Sequence, residues 1–287
     1  MDFQLTEDQR ALRQGVRELL AGRFDRDALR AAVDTPGQLD RELWRDLGEA
    51  GFFSLRLPEA DGGVGLGLPE AVLLFEEAGR VLLPGPLVAT HLAAGTVPGA
   101  ATGETVVTDA AGEILPWLDA SDVCLADSSG AVPITSVDPL TPLHKLPGPH
   151  ADRSPEAVLL TAAEQLGSAG RTCEMAVQYA KERQQFGQPI GAFQAVKHLC
   201  AQMLVRTELA RAAVYAAAVI EDPLEIATAE LLADEAAVRN ARDCVQVHGG
   251  MGFTWEADVH LHMKRAWVRA GSGRSARETE EELAAAL

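Results

Sequence analysis

The sequence predicts a mainly helical protein in which a small β insert separates two helical stretches. Aromatic residues make up only 5% of the 287 residues while Ala and Leu abound, a balance that favours helices over β-sandwiches. Apolar residues recur at helical spacing towards both ends of the chain. Between those ends, β-branched runs are short and broken by turn residues, and the alternating βαβ units of a Rossmann fold are absent.

The first stretch, 1–98, reads as helices. Thr6, followed by Asp8 and Gln9, suits an N-cap, and Leu12, Val16, Leu19 and Leu20 recur on one face. A second helix is expected over 43–50, closed by Gly51 as a left-handed C-cap. Residues 58–71, PEADGGVGLGLPEA, form a Gly/Pro-rich loop. The helical period then resumes over 70–82 and breaks at Pro84 and Pro86. In the middle stretch, 99–150, TGETVVTDA, DVCLADSSG and AVPITSVD read as short strands joined by turns. LTPLHKLPGPH has prolines and little periodicity. The last stretch, 151–287, returns to helix. Pro155 and Glu156 suit the first turn of a long helix reaching Arg183, and Gly187-Gln188-Pro189 breaks it. A second helix is expected from Phe193 to Ile220 and a third from Pro223 to His248.

A net charge of −17 argues against a nucleic-acid binder, because phosphate backbones need a basic face. The four cysteines, Cys124, Cys173, Cys200 and Cys244, are widely spaced with no CxxC pattern, and read as reduced thiols. The N-terminus is charged and lacks the apolar run of a signal peptide. No uncharged stretch is long enough for a membrane span. A cytoplasmic protein with no membrane partner is expected.

Residues 179–203, YAKERQQFGQPIGAFQAVKHLCAQM, combine a helix end carrying Lys181 and Arg183, a Gly/Pro turn, and a new helix opening on Phe193 and Gln194. A helix start with a nearby Arg can hold an anionic phosphate group. An ordinary helix–turn–helix with a solvated Arg has the same pattern. About 60 residues further on, QVHGGMGFT (246–254) places paired glycines where a backbone could closely approach a pyrophosphate.

Together these stretches resemble the two signatures of the acyl-CoA dehydrogenase family. The first is Arg, Phe-Gly, Pro-Ile-Gly and Phe-Gln over 183–194, and the second is Gln-x-x-Gly-Gly-x-Gly from Gln246. FQLTEDQRALRQGVRELL is similar to the family's first helix, and GFFSLRLPEADGGVGLG to its loop after the early helices. The resemblance implies an N-terminal helical domain (1–98), a shortened β domain (99–150) and a C-terminal helical bundle (151–287). It implies FAD as cofactor, contacted on its adenosine side by Arg183, Phe193, Gln194, Gln246, Gly249 and Gly250. The β insert is roughly half the family's size, and no Thr/Ser-containing flavin motif stands in it. The degenerate DSSGAVPITS (127–136) does not replace one.

Dehydrogenation of a thioester needs a carboxylate to take the α-proton while the β-hydrogen leaves as hydride to the flavin. The family's two positions for that Glu fall here on Ala157 and Gly273, and neither carries a carboxylate. Remaining acids are Glu156, rotated by about 100° from Ala157 on a helix, Glu164 in the apolar LLTAAEQLG, and Glu256 in a turn-like stretch. Glu164 is the candidate base, since a buried acid can have a raised pKa; a hydrogen-bonded structural Glu is the alternative. His248, His260 and His262 raise the question of a metal, but His260 and His262 stand two apart and share no helix face.

The resemblance therefore implies the reduced subunit of a heteromeric, α2β2 acyl-CoA dehydrogenase, similar to actinobacterial enzymes acting on CoA thioesters of steroid side chains or ring fragments. A larger homologous subunit would supply the flavin-ring pocket and the base. Acyl-CoA is the expected substrate and an electron-transfer flavoprotein, or a similar acceptor, the expected electron partner. Two alternatives remain: a self-sufficient homo-oligomer using Glu164, and a flavin-free scaffold.

Overall fold

The computed structural model describes residues 4–148 and 152–286, so the expected boundary between 150 and 151 lies outside the described residues. Five helices come first: α1 (Glu7–Arg23), α2 (Arg26–Asp34), α3 (Arg41–Glu49), α4 (Leu68–Arg80) and α5 (Leu87–Ala93). Five short strands follow, β1 (Val107–Thr108), β2 (Ile114–Pro116), β3 (Val123–Cys124), β4 (Val132–Ile134) and β5 (Leu143–Lys145). Then come α6 (Pro155–Glu182), the two-residue strands β6 (Gln184–Gln185) and β7 (Gln188–Pro189), α7 (Gln194–Ile220), α8 (Pro223–His248), α9 (Val259–Ala270) and α10 (Ala276–Ala285).

Caps account for the sharp starts. Thr6 Oγ1 accepts from the Gln9 N–H at 3.1 Å, and Gln9 Oε1 accepts from the Thr6 N–H at 3.0 Å, a reciprocal capping box. Ser154 caps α6 and Asp222 caps α8, each followed by a proline that has no N–H to leave unsatisfied. The two loops of α6–α7–α8 make the helices run up, down and up. Residues 183–194 and 246–254 therefore meet at one end of the bundle, and the start of α6 lies at the other.

One buried apolar cluster runs from α1 to α9, including Leu20, Trp44, Phe53, Phe75, Leu159, Leu166, Val214 and Leu261. Its centre is the crossing of α4 on α6. A Cβ added to Gly79 would lie 2.0 Å from the Glu164 carbonyl oxygen, and one added to Gly167 would lie 1.9 Å from that of Glu76. The two backbones touch because neither glycine has a side chain. Residues 71–79 of α4 are buried on every side, so the two acids in that stretch need partners. Glu77 accepts from Arg17 at 2.6 and 2.9 Å, and Glu76 accepts from the Tyr215 hydroxyl at 2.6 Å.

The insert forms a three-stranded antiparallel sheet in the order β2-β5-β4 and a separate parallel pair, β1 with β3. Its central strand, β5, comes from the proline-containing stretch that shows little periodicity. Hydrogen bonds to strands on both sides, rather than its own three residues, make it a strand. Helices α2, α5, α9 and α10 also stand outside the runs singled out by periodicity. The nine residues of α2 bury only Leu29 and Val33, too few for a clear periodic signal.

Candidate active site and cofactor-facing end

A cavity of about 460 Å³ lies between the α4–α5 connection, the β insert, the start of α6 and the end of α9. Leu87, Trp117 and Leu143 give it apolar walls, and Ala157, Glu164 and Arg269 line it from α6 and α9. Ala157 thus faces the site without an acid. Gly273 lies beside it: a Cβ added there would be 3.0 Å from Arg153 Nη2, and Arg153 itself lines the cavity and pairs with the buried Glu230.

Glu164 is buried at 5% exposure, and its carboxylate is engaged. Arg269 Nη2 lies 2.6 Å from Oε1. Burial pushes the Glu164 carboxyl up, while Arg269 and Arg265 pull it back down. Burial also lowers the Arg269 guanidinium, to about 10, and the two groups form a buried salt bridge. Arg269 Nη1 has no hydrogen-bond partner among the described residues, which leaves Glu164 as the ion-pair partner of the guanidinium. A base must have a free lone pair within reach of the proton it takes, and Oε1 of this carboxylate is held by the Arg269 guanidinium. One turn earlier, Arg265 pairs with the buried Asp138 and donates to the Leu83 and Leu140 carbonyls at 3.3 and 3.2 Å, tying α9 to the insert.

Glu156 accepts from Arg56 at 2.9 Å, and that bond holds its carboxyl below the usual range. Glu256 offers its backbone carbonyl to Arg26 at 2.8 Å. His262 is buried, its Nδ1 2.8 Å from Ser168 Oγ, and burial lowers it to about 3. His260 packs edge-on against Trp255. Sequence patterns do not single out Arg269, Arg265 or Arg153. Their only local signal is the i, i+4 spacing of Arg265 and Arg269 in a helix rich in apolar residues.

The six residues assigned to the cofactor lie at the opposite end of the bundle. Arg183 caps α6 and is exposed, and it makes no ion pair among the described residues. Gln194 opens α7, also exposed. Between them β6 and β7 form a hairpin whose turn, Phe186–Gly187, has positive φ at both residues, the geometry of a tight hairpin turn. Phe186 is 90% exposed and meets Phe193 edge-on at 6.0 Å. Tyr179, one turn before Arg183, stacks on His248 with ring centres 4.1 Å apart, which locks the end of α6 to the end of α8. Gln246 is exposed there. Gly249, at φ +60, and Gly250 have nothing within 4 Å of an added Cβ. An unpaired cation, exposed aromatic rings and bare backbone fit the phosphate and adenosine half of a dinucleotide.

The outer face of α7 carries exposed apolar side chains: Leu204, Val205, Leu209, Val219 and Ile220 are each more than half exposed, with Ala212 and Ala216 between them and the exposed Glu208 on the same side.

Comparison with known proteins identifies the family. The family described as acyl-CoA dehydrogenase, N-terminal domain, matches residues 6–105, and acyl-CoA dehydrogenase, C-terminal domain, matches 157–277. Acyl-CoA dehydrogenase IpdE2 of Mycobacterium tuberculosis is 36% identical over 306 aligned positions, covering 96% of each chain. Acyl-CoA dehydrogenase FadE34 of the same organism is 33% identical across 94% of this chain, which spans 47% of FadE34. Among solved structures, a chain of the ChsE4–ChsE5 complex from M. tuberculosis superposes with a TM-score of 0.86 at 26% identity, covering 99% of this chain and 98% of that one. The chain belongs to the acyl-CoA dehydrogenase family. No helix among the described residues is long and apolar enough to cross a membrane.

Proposed function

We propose that this chain is the reduced subunit of a heteromeric, FAD-dependent acyl-CoA dehydrogenase. It contributes adenosine-side contacts to a flavin held mainly by a larger homologous subunit, which also provides the base. The observation that carries this reading is a separation along α6. Ala157, at the cavity, and Arg183, at the cofactor-facing end, are 26 residues apart, roughly 39 Å at about 1.5 Å per residue. One dinucleotide does not span that distance, so the residues fitted to FAD serve a site other than this chain's own cavity. The bare α7 stripe supplies a face for the partner. The length of FadE34 supports the same division, since this chain matches about half of it.

Bound at that end, FAD would accept the hydride that leaves the β-carbon of the thioester. Arg183 would hold a phosphate oxygen or the adenosine side by charge-assisted hydrogen bonding. Gln194 and Gln246 would donate or accept beside it, Phe193 would pack there, and Gly249 and Gly250 would let the backbone approach. The three-part division at 98 and 150 belongs to the same reading, as do a substrate drawn from steroid-derived acyl-CoA thioesters, an electron-transfer flavoprotein or similar acceptor, and a cytoplasmic setting. Self-sufficient catalysis through Glu164 is disfavoured by the Arg269 ion pair.

The test is Arg183→Ala in the assembled complex. Loss of a charge-assisted hydrogen bond costs about 1.5–3 kcal/mol, so FAD retention after dialysis should drop while the flavin that remains is reduced at the normal rate. Normal flavin content with slowed reduction would contradict the assignment.

A further inference from the structure

The segment after the second signature is tied to a distant helix by two arginines. Arg30 donates from Nη1 to the Trp255 carbonyl at 2.5 Å and from Nη2 to Asp258. Arg26 donates from Nε to Asp258 at 2.7 Å and from Nη2 to the Glu256 carbonyl at 2.8 Å. Both arginines stand on α2, more than 220 residues earlier in the chain. Other packing of the segment is thin: from 249 to 258 only Gly252 is buried, and Phe253 and Trp255 are 74% and 62% exposed. Residues 249–253 form a 3-10 turn in which Gly252 lies against Val245 of α8. Residues 254–258 have few apolar neighbours and sample many conformations unless their backbone is fixed. Guanidinium forks on two consecutive carbonyls and on one carboxylate fix both position and direction.

We propose that Arg26 and Arg30 are positioning residues that set the path of residues 249–258 and thereby present Gly249 and Gly250 to the FAD pyrophosphate. The inference rests on the reading of that segment as a cofactor contact. The two arginines act through the backbone of 255–258. The first helical stretch thus takes part in cofactor binding at the far end of the chain.

The test compares Arg26→Ala/Arg30→Ala, the corresponding double Lys variant, and Gln246→Ala. Hydrogen exchange is measured on the isolated chain, and FAD affinity on the complex with its partner subunit. Expected are faster exchange confined to 249–258 and FAD bound about ten- to a hundredfold more weakly in the double Ala variant. The double Lys variant should recover part of both, and Gln246→Ala should weaken FAD without faster exchange. If 249–258 stays protected, or loosens while FAD affinity holds and Gln246→Ala still loses it, the positioning role is wrong and the cofactor reading stands. If no variant weakens FAD, the cofactor reading fails and the inference with it. Should the double Ala variant not fold, Arg26→Ala alone carries the same comparison, because Arg26 is 60% exposed.

Discussion

Gly167→Ala is expected to destabilise the chain by about 3–5 kcal/mol, at the upper end of single substitutions. An added methyl would meet the Glu76 carbonyl oxygen at 1.9 Å and the Arg80 nitrogen at 2.9 Å. These atoms belong to the backbone of α4, so no side chain can rotate away, and relief requires the two helices to part. Parting them opens the centre of the main core, where Phe75, Leu159 and Leu166 are fully buried, and the weakened apolar packing there adds to the strain. Gly79→Ala should behave alike, since its methyl would lie 2.0 Å from the Glu164 carbonyl oxygen. Gly15→Ala is the control. It sits in α1 with nothing within 4 Å, and removing a helix-interior glycine should stabilise by about 0.5–1 kcal/mol. Denaturant unfolding of the three variants checks this; a Gly167→Ala midpoint equal to that of the parent would refute the close approach of the two backbones.

Glu164→Gln is expected to damage stability far more than chemistry. Breaking a buried ion pair by removing one partner costs about 3–5 kcal/mol, because the remaining charge is stranded. Gln keeps one acceptor for Arg269, so the loss should fall at or just below that range. Flavin reduction in the assembled complex should change by less than about tenfold, whereas loss of a true general base slows the step about 10²–10⁴-fold. Thermal unfolding and rapid-mixing measurement of flavin bleaching separate the two effects. A variant that assembles, keeps its FAD and is not reduced would show that this chain carries the base.

The sequence disclosed what is coded locally. Thr6 as an N-cap, Pro155 and Glu156 as a first turn, and the run from Pro223 mark helix starts, and the structure begins α1, α6 and α8 at those places. The two turns of the bundle also imply that 183–194 and 246–254 share an end. Glu164 was legible as a buried acid, but not its partner: Arg269 is 105 residues away, and no local spacing encodes the pairing of α6 with α9. The same holds for Arg26 and Arg30 on Asp258. β5 was hidden because three residues between prolines carry no period, and its neighbours in space decide its conformation. The vacancy at Ala157 gained meaning only when the fold placed it on the cavity wall.

The division of labour between two subunits is tested most directly by the flavin spectrum of this chain purified alone and purified with its partner subunit, each then mixed with an acyl-CoA thioester. The chain alone should be colourless, and the complex should be yellow and bleach on addition of substrate. A chain that purifies alone with near-stoichiometric FAD, and whose flavin the thioester reduces, would contradict the account.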